Sequence, residues 1–246
     1  MTHLSSPVNC WISCRFPLII LWFVSVIAQK QYHRSLRISV FYRSNLQLLD
    51  RAAAQLYYDC ANNYPYVKLC EAFGLPDYAS TWFKLTIMHI WMVLMRLHVS
   101  LEVHSYIRLQ RSLLAVMWMD VDKRLEVIGK EIKQSLTSYG DMKHMHGLHL
   151  QTLLEYDEGY LSDDTVLAGA IWRCLYLQRS YDPIYVNRVI LYIRSTMAYL
   201  DSLDLNDILV DGIKEWKTMK PTVTDVKKFD DCDRKRREYE EKKIIS

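Results

Sequence analysis

Residues 156–173 read YDEGYLSDDTVLAGAIWR. This pattern predicts the end of one helix, an acidic turn and the start of a second helix. Ser162 or Asp163 is suited to cap the second helix, because a short polar side chain accepts a hydrogen bond from a free amide of the first turn. Asp164 lies in that first turn, where the helix dipole favours an anion. The stretch therefore predicts packed helices on both sides of a tight junction.

The composition of the whole chain favours the same fold class. The 246 residues include seven glycines and six prolines, which favours long regular elements over many short strands joined by turns. Half of the residues are apolar, enough for a core without disulfides or metal. We expect an all-α fold, a compact domain of roughly six to eight helices between an N-terminal targeting or apolar extension and a charged C-terminal tail. The six cysteines form no C-x-x-C motif and are predicted to be reduced and mostly buried.

Charge divides the chain into three regions, which we place at residues 1–44, 45–216 and 217–246. The formal net charge is +3, but residues 1–49 hold five bases and no acid, which leaves 26 bases and 28 acids elsewhere. The helical body has no basic excess to drive nucleic-acid binding, so we expect no direct nucleic-acid specificity. The charge-rich tail is predicted to be solvated.

The first region has the composition of a mitochondrial presequence, with arginine and serine but no acid. Its apolar segment, residues 18–28, is shorter than the roughly 20 residues of a spanning helix. A secretory signal is the alternative, because an apolar run after a weakly basic start is also signal-like. The apolar segment could also place the protein on or in a membrane.

Hydrophobic periodicity and helix-stop residues predict the helix boundaries. The predicted helices are 45–61 capped by Asn45, about 66–73 ending at Gly74, about 77–99, 104–128 ending at Gly129, 131–157 with a weak point at 139–141, one after Ser162 or Asp163, one after Asp182-Pro183, and a short one between Leu205 and Trp216. The helix at 77–99 is apolar on nearly every side and should be central and buried. Lys84, His89 and Arg96 argue against a membrane span there, because a charge costs about 2.5–3.5 kcal/mol near the bilayer centre.

Three histidines, His144, His146 and His149, suggest a metal site. His146 and His149 share a helix face, whereas His144 and His146 do not. No Glu-x-x-His or His-Glu-x-x-His motif accompanies them. We therefore interpret all three as surface histidines beside a glycine.

The five carboxylates of residues 155–164 suggest calcium binding or acid–base chemistry. Their spacing does not fit an EF-hand, and an acid–base pair would need a cleft that the pattern does not predict. We expect Asp157 and Glu158 to pair with arginines such as Arg173 or Arg194, or to be exposed. Nucleophile and phosphate-loop motifs are absent from the sequence. No catalytic, cofactor-binding or metal-binding residue is predicted.

The tryptophans and methionines favour core packing over a cofactor site. Trp82 and Trp91 are nine positions apart, about 180° around a helix, so at least one should meet a second helix layer or a partner. Met88, Met92 and Met95 run beside Trp91 and are expected to fill the core, although methionine also adapts to varied apolar partners.

Several motifs together resemble the ubiquinol–cytochrome c chaperone family, the cytochrome b assembly factors of respiratory complex III. The resemblance covers roughly residues 56–205, and the blocks occur in the family's order: Leu56-Tyr57, 73–78 with Thr81-Trp82-Phe83, 89–92 with Arg96-Leu97, 118–121 with Arg124, 156–173, Asp182-Pro183, 192–194 and Leu200-Asp201. The resemblance marks as signature or partner-contact residues Pro76, Asp77, Trp82, Phe83, His89, Trp91, Arg96, Trp118, Asp120, Tyr156, Asp157, Glu158, Gly159, Asp163, Asp164, Trp172 and Arg173.

The resemblance implies a non-catalytic mitochondrial chaperone without a cofactor. Such a protein would bind nascent cytochrome b together with a small complex III assembly partner, near the mitochondrial ribosome exit and the matrix side of the inner membrane. Residues 140–149 and the tail beyond 217 have no counterpart in the family's pattern, and 98–106 lacks its glycine-bearing loop. Two alternatives stay open: a helical metal enzyme using His89 or the 144–149 histidines, and a secreted or membrane-resident helical protein.

Overall fold

The described part of the chain is built from helices alone. A computed structural model describes residues 40–136 and 138–218, so the segment 18–28, most of the tail and three of the six cysteines lie outside the described residues. Within that part there are eight helices: α1 (Val40–Asn62), α2 (Tyr66–Phe73), α3 (Ala79–Ser100), α4 (Val103–Ile132), α5 (Tyr139–Leu161), α6 (Asp164–Cys174), α7 (Pro183–Ser202) and α8 (Leu205–Asp211). The predicted all-α fold is confirmed.

Helix α3 is the centre of the fold. Fourteen of its 22 residues are buried, and it contacts α1, α4, α5 and α7. A helix that is apolar on every side can bury its whole surface only inside a shell of other helices. The predicted burial of this helix is therefore confirmed, and Met88, Met92 and Met95 lie in the core as expected. No described helix combines the length and the apolarity that crossing a bilayer requires.

Outside α3, the helices form two close pairs, α1 with α4 and α5 with α6. Helix α1 lies along α4 in the same direction, because Asp50 accepts from Arg108 and Tyr57 donates to Asp120 farther along both helices. Helices α5 and α6 form a hairpin at the junction of residues 156–173. There a Cβ atom on Gly159 would lie 2.8 Å from the Leu167 Cα atom, so only glycine allows this approach.

Local signals placed several helix ends correctly. Gly74 ends α2 with φ of 61°, the left-handed conformation that glycine adopts freely. Asp163 caps α6 by accepting from the amides of Thr165 and Val166. Asp182 caps α7, with Pro183 at its first position. At these ends the capping group and the capped amides are neighbours in sequence, which is why the pattern was sufficient.

The predicted bounds of three long helices were wrong. Helix α1 begins at Val40, so Asn45 lies inside it and not at its first residue. Helix α4 continues through Gly129 to Ile132, since one glycine costs a helix only about 1 kcal/mol and packing outweighs it. The helix expected at 131–157 begins at Tyr139, capped by Ser138, and runs to Leu161.

A C-terminal strap, residues 212–218, follows α8 and is anchored on α1. The Ile213 amide donates to Asp59 Oδ2 at 2.8 Å, and Trp216 Nε1 donates to the Asp59 carbonyl at 3.0 Å. The short helix expected between Leu205 and Trp216 therefore covers only Leu205–Asp211. Burial raises the pKa of Asp59, and the hydrogen bonds to its carboxylate oppose that shift.

Candidate functional site

A groove opens between the start of α3, the last turns of α4 and the first half of α5. It encloses about 730 Å³, with the buried side chains of Phe83 and Val121 in its lining. The α3–α4–α5 groove, as we call it, is lined by Tyr66, Asp77, Tyr78, Ala79, Ser80, Trp82, Phe83, Lys84, Val121, Lys123, Arg124, Leu125, Val127, Ile128, His144, Met145, Leu148 and Leu177. Its volume is within the range of ligand-binding clefts, and most of these residues are apolar or aromatic.

Large apolar side chains stand exposed around this groove. Tyr78, Val127 and Leu177 are 63%, 57% and 43% exposed. Single exposed apolar residues are common, but several that line one concave apolar surface make that surface a candidate binding site. The periodicity of α4 did not single out Val127 because it lies off the helix's buried stripe, so only the tertiary structure shows it as part of a site.

One wall of the groove is fixed to α1 through a polar network. Trp82 Nε1 donates to the Ala61 carbonyl at 3.0 Å, and the Arg124 guanidinium lies 4.2 Å from the Trp82 ring centroid. Arg124 also donates to Asp120 Oδ2 at 2.9 Å, and Tyr57 donates to the same oxygen at 2.6 Å. Burial and this bond to Asp120 raise the pKa of Tyr57. The arrangement holds Trp82 in one orientation beside the groove.

The carboxylates in and beside the 156–173 junction have different kinds of partner. Asp157 accepts a hydrogen bond from Trp91 Nε1 at 2.8 Å, whereas Glu158 is exposed. For Glu158, exposure is one of the two expected outcomes, whereas the bond from Trp91 to Asp157 was not expected. The arginines bind other acids of the junction, Arg173 to Glu155 at 2.8 Å and Arg194 to Asp164 at 2.9 Å. The sequence could not show which acid pairs with which arginine, because the acids lie within a few positions of one another along the chain.

His89 lies inside the core and both of its ring nitrogens are used. Nδ1 is 2.7 Å from the Leu85 carbonyl, which can only accept, so Nδ1 carries the proton and Nε2 accepts from the Tyr192 hydroxyl at 2.7 Å. The ring stacks on Tyr64 at 4.2 Å and meets the edge of Trp216 at 4.6 Å. Burial lowers the pKa of His89 to about 4, so it is neutral at physiological pH. This environment is that of a packing histidine.

The histidines of α5 do not share one environment. His144 and His146 are exposed, and the His146 ring lies 3.7 Å from that of Trp118. His149 is 2% exposed, so its interpretation as a surface histidine is wrong. Neither of its nitrogens has a hydrogen-bond partner within the described residues. Across 40–136 and 138–218, no group of three or more His, Cys, Asp or Glu side chains could hold a metal ion.

Replacement of His149 by phenylalanine is expected to stabilise the protein and to flatten its pH dependence. Burial lowers the pKa of His149 to about 4, below the roughly 6.5 of an unfolded histidine. Between these values the unfolded chain binds more protons, so His149 makes stability fall as pH falls from about 6.5 to 4, by about 3 kcal/mol. The variant should lose the pH dependence of stability that His149 causes and should keep the pH dependence that His89 causes.

The measurement is urea unfolding of the wild type and the variant between pH 7 and pH 4. At pH 7 the variant should gain about 1–3 kcal/mol, because a buried imidazole that has no hydrogen-bond partner among the described residues carries a desolvation penalty. An unchanged pH slope would contradict the buried, neutral state of His149.

The signature residues separate into groove and core. Pro76 is exposed just before the lining residue Asp77, and Trp82 and Phe83 also lie in the lining. Four signature residues lie in the interior: His89, Trp91, Tyr156 and Gly159. Two others donate hydrogen bonds to carbonyls, Arg96 to those of Leu200 and Leu203 and Trp172 to that of Arg179. Asp120 belongs to the wall network, and Asp163 is a helix cap. Trp118 packs near Phe83. Most of the signature thus builds the scaffold that presents the groove.

The fold and the groove define an all-α scaffold that carries a largely apolar groove. The family model of the ubiquinol-cytochrome C chaperone matches residues 71–216, more than half of the chain. The chain therefore belongs to this family. No solved structure matches it significantly.

Curated relatives agree with this assignment. The Xenopus laevis ubiquinol-cytochrome-c reductase complex assembly factor 1 is 33% identical over 168 residues, 68% of this chain and 82% of that protein. The mouse assembly factor is 32% identical over 168 residues, and the match spans 55% of its length. The Saccharomyces cerevisiae protein CBP3, mitochondrial, is 29% identical over 136 residues, 54% of this chain and 39% of that protein.

Proposed function

We propose that this protein is a non-catalytic mitochondrial chaperone for the assembly of ubiquinol–cytochrome c reductase, and that it binds newly synthesised cytochrome b. The names of the relatives support the assembly role, and the yeast relative's name supports the compartment. The observation that carries the proposal is the α3–α4–α5 groove, because most of its lining falls within the family match of residues 71–216. An apolar groove with a polar edge suits the temporary holding of an apolar polypeptide.

The buried polar groups favour binding over bond-making chemistry. His89 is hydrogen-bonded at both nitrogens, and Asp59 accepts from Gln55, Asn63 and the Ile213 amide. Asp157 is bonded to Trp91. These side chains stabilise helix contacts, so they are not arranged around a space where a substrate could react.

The wider setting is part of the same proposal. Residues 1–44 act as a mitochondrial presequence, and the mature protein works at the matrix side of the inner membrane near the ribosome exit. A small complex III assembly partner binds with it. These points rest on the acid-free composition of the N-terminal region and on the family assignment.

The proposal is tested by replacing Val127 with aspartate in the full-length protein. Val127 is exposed, so the fold should survive, whereas a carboxylate in an apolar groove must be desolvated when a client binds. We expect co-purified newly made cytochrome b to fall about tenfold or more, and assembled complex III to fall with it.

The matched control is Val103→Asp, on the same helix at its opposite end. Val103 is also 57% exposed, but it does not line the groove. The control should retain cytochrome b binding. Deletion of the protein should lower complex III; normal cytochrome b and complex III levels in the deletion strain would refute the proposed function.

A further inference from the structure

We infer that the α3–α4–α5 groove receives an amphipathic helix that carries acidic side chains along one border of its apolar face. This inference deepens the proposed function, since it names the chemistry of the protein segment that the groove recognises. It rests on the shape of the groove and on the charges in its lining.

The shape of the groove fits a helix. The lining residues of α4 extend from Val121 to Ile128, about 10 Å along the helix axis, or two turns of a docked helix. Residues of α4 and α5 line the groove together with the buried side chain of Phe83 from α3. A docked helix would place its apolar residues at i, i+3, i+4 and i+7 into this space, as in other helix-in-groove complexes.

The exposed border of the groove favours a helix over a small amphiphile. A cleft for a small molecule buries most of the ligand surface. Here Tyr78, Val127 and Leu177 are exposed around the opening, where they would contact a broader partner. Those side chains contribute binding energy only if the partner covers them, and a helix is wide enough to do so.

The charges in the lining favour an acidic partner. Lys84 donates to the Leu175 carbonyl at 2.8 Å, which leaves two of the three ammonium hydrogens for other acceptors. Lys123 is exposed and forms no ion pair with any described residue. The carboxylate in the lining belongs to Asp77, which already accepts from the Tyr66 hydroxyl at 2.9 Å. Acidic side chains beside the apolar face of the helix would complement these two lysines.

Two designed peptides test the inference on the purified full-length protein. Both have 18 residues and the same leucines on one face; one carries glutamates along the border of that face, and the other carries lysines. Fluorescence anisotropy of labelled peptides should show about five- to tenfold tighter binding of the glutamate peptide, because each partly exposed pair changes from repulsion to attraction. Equal affinity for the two peptides would overturn the inference.

A charge reversal in the protein locates the effect. Lys123→Glu should weaken the binding of the glutamate peptide and strengthen the binding of the lysine peptide. Lys130→Glu is the matched control, because Lys130 is exposed on the same helix, pairs with Glu126 and does not line the groove. An equal effect of the two reversals would show a non-specific charge response and would overturn the assignment to the groove. Circular dichroism verifies that each variant is folded.

Other occupants give different results. Competition for the glutamate peptide by anionic phospholipid vesicles would assign the groove to a membrane surface and refute the helix. A dimer in analytical ultracentrifugation that Val127→Asp dissociates would assign it to a second copy of this chain and also refute the inference. Peptide binding does not depend on complex III, so normal assembly in a deletion strain would refute the proposed function while the peptide preference persisted.

Discussion

Replacement of Trp91 by alanine is expected to lower the free energy of unfolding by about 3–5 kcal/mol. The Trp91 side chain is fully buried at the middle of α3, and its ring lies 5.2 Å from that of Tyr156 on α5. Alanine would leave a cavity there and would remove the donor from Asp157. Since a domain is stable by only about 5–15 kcal/mol, this loss is large. Chemical denaturation followed by circular dichroism measures it.

Two further variants separate the causes. Trp91→Phe keeps most of the ring volume but loses the bond to Asp157, and should cost about 1–2 kcal/mol. Trp172→Ala truncates a tryptophan that is only partly buried, so it should cost less than Trp91→Ala. A loss at Trp91 no larger than the loss at Trp172 would show that the α3–α5 contact is not a main support of the fold.

Replacement of Gly212 by alanine is expected to detach the C-terminal strap and to cost about 2–6 kcal/mol. Gly212 has φ of 75° and ψ of −160°, a region that is nearly restricted to glycine and costs other residues about 1–3 kcal/mol. A Cβ atom there would also lie 2.2 Å from Asp59 Oδ2, so the carboxylate that binds the Ile213 amide would have to move. Overpacking of this kind adds about 1–3 kcal/mol.

Hydrogen exchange of the Ile213 amide reports on the strap directly. Its protection should fall in Gly212→Ala, because its acceptor is displaced. Gly147→Ala is the control: this position lies within α5 and a Cβ atom there would meet nothing within 4 Å, so alanine should stabilise the helix by about 1 kcal/mol. Unchanged Ile213 protection in Gly212→Ala would rule out the strap as a separate anchored unit.

Features set by neighbouring residues were predictable from the sequence. The caps Asp163 and Asp182 act on amides two or three positions away, so a short pattern contains all the information. The burial of α3 follows from its lack of a polar face. The other helices can turn polar faces to the solvent, so they must enclose α3. The failure at Gly129 occurred where packing outweighed local preference, and the prediction at Asn45 was wrong because the helix begins earlier, at Val40.

The groove could not be predicted in the same way. Tyr78, Val127 and Leu177 belong to different segments, and none of them lies on a regular apolar stripe. They become a site because the last turns of α4 and the first half of α5 leave a space beside the start of α3. The partners of Asp157 and the burial of His149 were hidden for the same reason: each depends on a side chain on another helix, Trp91 for the carboxylate and Trp118 for the imidazole.

The sequence by itself determined the helical class of this protein, several of its caps, its central helix and the family it resembles, because these depend on local propensity, periodicity and short motifs. Only the tertiary structure decided which acid meets which arginine, which histidine is buried and where apolar side chains converge into a groove. Those outcomes depend on distances between helices, and such distances result from the packing of the whole domain.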